Sequence, residues 1–89
     1  MKTEYLSSFV KDLKKIKNTL IYPKLKLLAF KTIPKCQNIT EIKNIKKIKG
    51  SDNAYRIRIG DYRIGIFVEN DTVIFSRVLH RKEAYRYFP

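Results

Sequence analysis

The sequence predicts an α+β domain in which two N-terminal helices cover a hairpin-connected sheet and a short C-terminal helix or tail closes the chain. Three observations lead there. Apolar residues recur every three to four positions as far as Pro34, alternate strictly from Tyr55 to Ile59, and are then divided by the turn pairs Gly60-Asp61 and Asn70-Asp71. Helices first and strands afterwards is the order of a segregated α+β architecture. With 89 residues, 44% of them apolar, residues 1–89 form one domain with one modest core.

Lys2 to Leu6 is placed as an edge strand. Ser7 or Ser8 can cap a helix whose stripe is Phe9, Leu13, Ile16 and Leu20. Asn18 to Tyr22 links it to a second helix, with Pro23 in the first turn, Leu25, Leu28 and Ala29 on the inner face, and an end near Pro34. Ile39, Ile42, Ile45 and Ile48, with lysines in the gaps, are read as a connector. Tyr55 to Ile59 and Tyr62 to Glu69 are strands joined at Gly60-Asp61, Thr72 to Leu79 is a third after Asn70-Asp71, and His80 to Tyr87 is the closing helix or tail.

Composition narrows the function. No apolar run approaches the roughly 20 residues that span a bilayer, and the first residues do not form a signal-peptide core, so a cytoplasmic protein is expected. One Cys36 and one His80 supply neither an internal disulfide nor a zinc ligand set. Net charge is +12. Up to Lys49 the cations are thirteen lysines, opposed by Glu4, Asp12 and Glu41; from Gly50 they are six arginines and Lys82, opposed by five acids. Lysine suits diffuse attraction of a polyanion, whereas the planar arginine fork holds phosphate in a fixed orientation. A coding bias towards AT accounts equally well for the lysines, but not for the arginines.

A two-residue turn at Gly60-Asp61 sets Ile59 against Tyr62, Arg58 against Arg63, Ile57 against Ile64, and Arg56 against Gly65. Tyr55, Ile57, Ile59, Tyr62, Ile64 and Ile66 then make an apolar platform, and Arg56, Arg58 and Arg63 gather on the other face around a glycine floor. Like charges paired across strands repel, so this face suits a bound anion. The competing reading is a solvated face whose arginines splay into water. The third strand has two registers: a two-residue turn puts Phe75 and Arg77 on the platform side, a three-residue turn puts both on the arginine side. Beyond it, His80 titrates near neutrality in its unperturbed state, and Arg81 and Tyr85 share a helical face. Taken singly, His80 suits a bare surface position, and Tyr85 with Phe88 could simply pack the C-terminus down.

Together these residues carry a resemblance. Tyr55 to Ile66 (YRIRIGDYRIGI), preceded by Lys47-Ile48-Lys49-Gly50, the early stretch Phe9 to Ile16 and the ending His80-Arg81-Lys82-Glu83-Ala84-Tyr85, resembles the RelE/ParE superfamily of type II toxins over nearly the whole chain. The resemblance implies a small, mostly antiparallel twisted sheet under two helices, and a cognate antitoxin encoded beside the toxin. RelE-like members cut mRNA in the ribosomal A site; ParE-like members poison DNA gyrase without nuclease activity. Carried over by position, Arg56 and Arg58 match basic residues of the central strand, Arg63 the arginine that holds the scissile phosphate, and Arg81 and Tyr85 the C-terminal arginine and tyrosine. His80 matches a histidine of several ribosome-dependent relatives. RelE proteins commonly have lysines where this chain has Arg56 and Arg58, and arginine does not deprotonate. The expected activity is therefore a ribosome-dependent mRNA endonuclease in which the three strand arginines stabilise charge on phosphorus. Tyr85 or His80 is the base, and the other, or Arg81, the acid, with no metal or small-molecule cofactor. The alternatives are a ParE-like gyrase poison and an RNA-binding relative without toxicity.

Overall fold

The computed structural model describes residues 1–89. Its centre is one five-stranded sheet of β1 (Lys2–Tyr5), β2 (Ile45–Lys47), β3 (Ala54–Ile59), β4 (Tyr62–Glu69) and β5 (Thr72–His80), in the spatial order β1-β5-β4-β3-β2. Only the β1–β5 pairing is parallel. The α+β expectation therefore holds. Both predicted hairpin turns form: Gly60 adopts φ 56°, and Asn70 and Asp71 adopt φ 47° and 65°, the left-handed pair that matches strand twist in a tight hairpin.

Helix α1 (Ser7–Lys15) buries Phe9 and Leu13. Its N-cap is Leu6, not a serine; Ser8 instead donates its hydroxyl to the Ser76 carbonyl at 2.6 Å. Leu20 was expected on the buried stripe. The helix has ended by then and Leu20 stands fully exposed on the link. Helix α2 (Tyr22–Leu27) has Pro23 in its first turn and runs through a wide π-turn, Leu28–Thr32, into α3 (Ile33–Lys35). The wide turn comes just before Pro34, which has no N–H to donate and whose ring clashes with the preceding turn of a regular helix. The expected connector is half strand: after a 3₁₀ turn at Ile39–Glu41, β2 pairs with β3 because Ile45 opposite Ile57 extends the apolar face.

That face forms the core. Phe9, Leu13, Leu25, Ala29 and Ile33 of the helices pack on Ile57, Ile59, Ile64, Ile66, Phe75 and Val78. The opposite face carries a smaller cluster in which helix α4 (Arg81–Tyr87) and Phe88 cover Ala54, Leu79 and part of Phe67. No helix of the chain is long and apolar enough to cross a membrane.

Neither register expected for β5 is the one observed. Phe75 pairs with Ile66, but the next pair is Gly65 with Arg77, so Ser76 is an extra residue, a β-bulge. Phe75 therefore keeps the core side while Arg77 takes the other. The edge of β5 beyond β1 is closed by α1: Asp12, buried, accepts from the Val78 N–H at 3.1 Å and from Nε and Nη2 of Arg77 at 2.7 and 3.2 Å.

Candidate nucleic-acid interface

The β3–β4 register aligns Arg58 with Arg63 and Arg56 with Gly65, as alternation and the short turn require. The three arginines thus share the α4 side of the sheet. They line one open hollow of about 330 Å³ together with Tyr85, Asn44, Ile45 and Lys46. Tyr85 is 71% exposed and its ring lies over the Arg56 guanidinium, 4.4 Å from it, a cation–π contact that fixes the phenol at the rim. Arg63 turns one nitrogen, Nη1, back to the carbonyls of Gly60 and Tyr62, both at 3.0 Å, and so braces the hairpin turn as well as lining the hollow.

The glycine floor is not open. Phe88 sits on Gly65 so closely that a Cβ there would lie 2.5 Å from the ring. The C-terminal segment thereby covers one side of the arginine face and brings α4, with Tyr85, over the other.

Arg81 stands one step along. It lies beside Asp61, Nε to Oδ1 3.9 Å, both exposed, and shares with Arg58 and Arg63 the wall of a second, larger cleft. His80 is not brought to this face. It pairs with Tyr62 on the helix side, ring centroids 5.5 Å apart, and its Nδ1 accepts the Lys82 N–H at 3.2 Å as the N-cap of α4. The Ser76 bulge is the cause: without the extra residue, His80 would fall on the arginine side. Arg77 does share that side, but its guanidinium is held at the sheet edge by Asp12, whose hydrogen bond raises its pKa above the ordinary guanidinium value.

Sequence reasoning missed Lys46 and Asn44, whereas Phe88 packs the C-terminus down as expected. Lys46 pairs with Arg56; Ile45-Lys46-Lys47-Ile48 does not alternate, so no periodicity marked this strand. Asn44 precedes β2 at φ 62°, a conformation asparagine tolerates better than most residues.

The family model for the ParE toxin of the type II toxin-antitoxin system parDE matches residues 4–85. The chain belongs to the RelE/ParE superfamily of type II toxins. It is 50% identical, across the full length of both chains, to toxin RelE3 of Methanocaldococcus jannaschii. The crystal structure of a RelB-RelE antitoxin-toxin complex from Methanococcus jannaschii contains a chain 47% identical, with TM-score 0.77 over 97% of this toxin and 99% of that chain. YafQ of E. coli, at 18% identity and TM-score 0.74 over 94% of this chain and 97% of its own, shares the fold. The toxin is thus RelE-like in sequence and in architecture, and its arginine face lies on the sheet side away from α1 and α2.

Proposed function

We propose that this toxin is a ribosome-dependent mRNA endonuclease that uses the ribose 2′-OH as nucleophile. The observation that carries the reading is the gathering of Arg56, Arg58, Arg63 and Tyr85 in one open hollow. Attack by the 2′-oxygen forms the new P–O bond of a 2′,3′-cyclic phosphate as the P–O5′ bond breaks. Charge accumulates on the phosphoryl oxygens, and the guanidiniums, permanently positive and mounted on a rigid sheet, stabilise it there. Tyr85, having first released its phenol proton to water at the rim, takes the 2′-OH proton. Arg81 holds the departing 5′-oxygen by hydrogen bonding, and that oxygen takes its proton from water at the open rim. His80, expected as an alternative base, has no part in this scheme; it caps the helix that carries Tyr85.

A cognate antitoxin is the second partner. The RelB-bound relative supports it, and a net charge of +12 favours an acidic chain laid over the basic face. The match to a ParE model favours a different target, gyrase. Primer extension on translated mRNA after induction separates the two. The native chain should give discrete 5′ ends that vanish in Arg58→Ala and Tyr85→Phe; intact transcripts alongside blocked supercoiling would establish the gyrase reading instead.

A further inference from the structure

The larger cleft lies between the α2–α3 segment and the β3–β4 turn and encloses about 860 Å³. It is not separate from the hollow: Asn44, Arg58 and Arg63 line both. A strand whose phosphate sits among the arginines must continue in some direction, and this cleft opens from the same wall. Its chemistry fits a nucleotide. Ile33, Ile42 and Ile59 offer an apolar surface to a base, and Lys24, Lys43 and Arg81 offer cations to a phosphate. The carboxylate of Glu41 is committed to the N–H groups of Gln37 and Asn38 at 2.9 and 3.2 Å, so it caps a turn there.

We propose that this cleft holds the nucleotide adjoining the scissile phosphate and that Asn44, at the boundary of the two spaces, reads its base. The inference rests on the RNA-cleaving reading. An amide presents a donor and an acceptor side by side, the pattern that pairs with a base edge. The φ of 62° sets the direction in which its exposed side chain leaves the backbone. No aromatic ring lines the cleft, so base identity here depends on hydrogen bonding more than on stacking, which tolerates any base.

The test is a reconstituted translation reaction on mRNA carrying randomised codons, with cut positions read by sequencing the new 5′ ends. Asn44→Gly removes the amide and keeps a residue at ease at positive φ. Thr32→Trp builds an indole into the cleft from its exposed rim. The native chain should show a base preference beside the cut. Asn44→Gly should flatten it by about tenfold, the scale of one well-placed base contact, and Thr32→Trp should lower cutting of all sites. Native preference and rate in both variants would overturn the subsite. Unchanged cutting with weakened antitoxin rescue would also overturn it, and assign the cleft to the antitoxin. No cutting by the native chain would instead sink the RNA reading on which the subsite rests.

Discussion

On Asp12 three donors converge: two nitrogens of Arg77 and the Val78 N–H. One carboxylate thus ties α1 to the exposed edge of β5, satisfies a backbone group of that edge and holds a guanidinium away from the hollow. Asp12→Ala leaves all three unpaired, in a setting where the carboxylate is 7% and the guanidinium 29% exposed. The expected loss is about 3 kcal/mol, the scale for breaking a largely buried pair, read as a lower urea midpoint at unchanged m-value. A midpoint within error of the native one would mean that the edge is closed by Ser8 and apolar packing alone. Gly65 is the opposite kind of position, important for the atom it lacks. The Cβ of Gly65→Ala meets the Phe88 ring at 2.5 Å, so Phe88 must leave. A cost of about 1–3 kcal/mol is expected for such overpacking, together with loss of cleavage as α4 loosens and Tyr85 with it. Retained α4 protection in hydrogen exchange would refute that coupling.

Among the elements, β5 decides which of its side chains reach the arginine face, and it does so through Ser76. One extra residue reverses the parity of everything after it, placing Arg77 and Leu79 on the α4 side and His80 on the helix side. The strands themselves were legible because Tyr55-Arg56-Ile57-Arg58-Ile59 alternates without a break and a glycine turn fixes its partner. The bulge was not, because its anchor is a hydrogen bond from Ser8, 68 residues away, which leaves no periodicity in either segment. Leu20 misled for a related reason: its spacing matched the stripe, but the helix stopped at Lys15. The arginine cluster could thus be read from the sequence, whereas the role of His80 could not. As N-cap, His80 contributes an acceptor and not a proton. His80→Asn, which keeps a capping acceptor, should retain most activity, and His80→Ala should lose stability by about 1 kcal/mol with activity falling as α4 frays. Equal loss of activity in both variants, with α4 intact, would return His80 to proton transfer.

Over the whole molecule, the question is how a charge of +12 is divided between attraction and contact. The chain measures 33 × 28 × 23 Å, several times the Debye length of about 8 Å at physiological salt. Lysines behind the helix layer, such as Lys14 and Lys17, are therefore screened from any strand laid on the arginine face, whereas under the proposed reading Arg56 and Arg58 would touch it. Counterions are released only where a cation meets a phosphate, so the slope of log affinity against log salt counts contacts and is blind to the remaining charge. Titration with a short single-stranded oligonucleotide should give a slope that falls by about 0.7 for each of Arg56→Gln and Arg58→Gln. Lys14→Gln with Lys17→Gln changes net charge by the same two units and should leave the slope as it was. If both pairs reduce it equally, the oligonucleotide has no fixed seat and is held by the overall field, and a phosphate clamp on this sheet would no longer be tenable. If only the arginines do, the lysine-rich half serves approach and the arginine face serves grip, as expected of a rigid site on a molecule that must find a polyanion quickly.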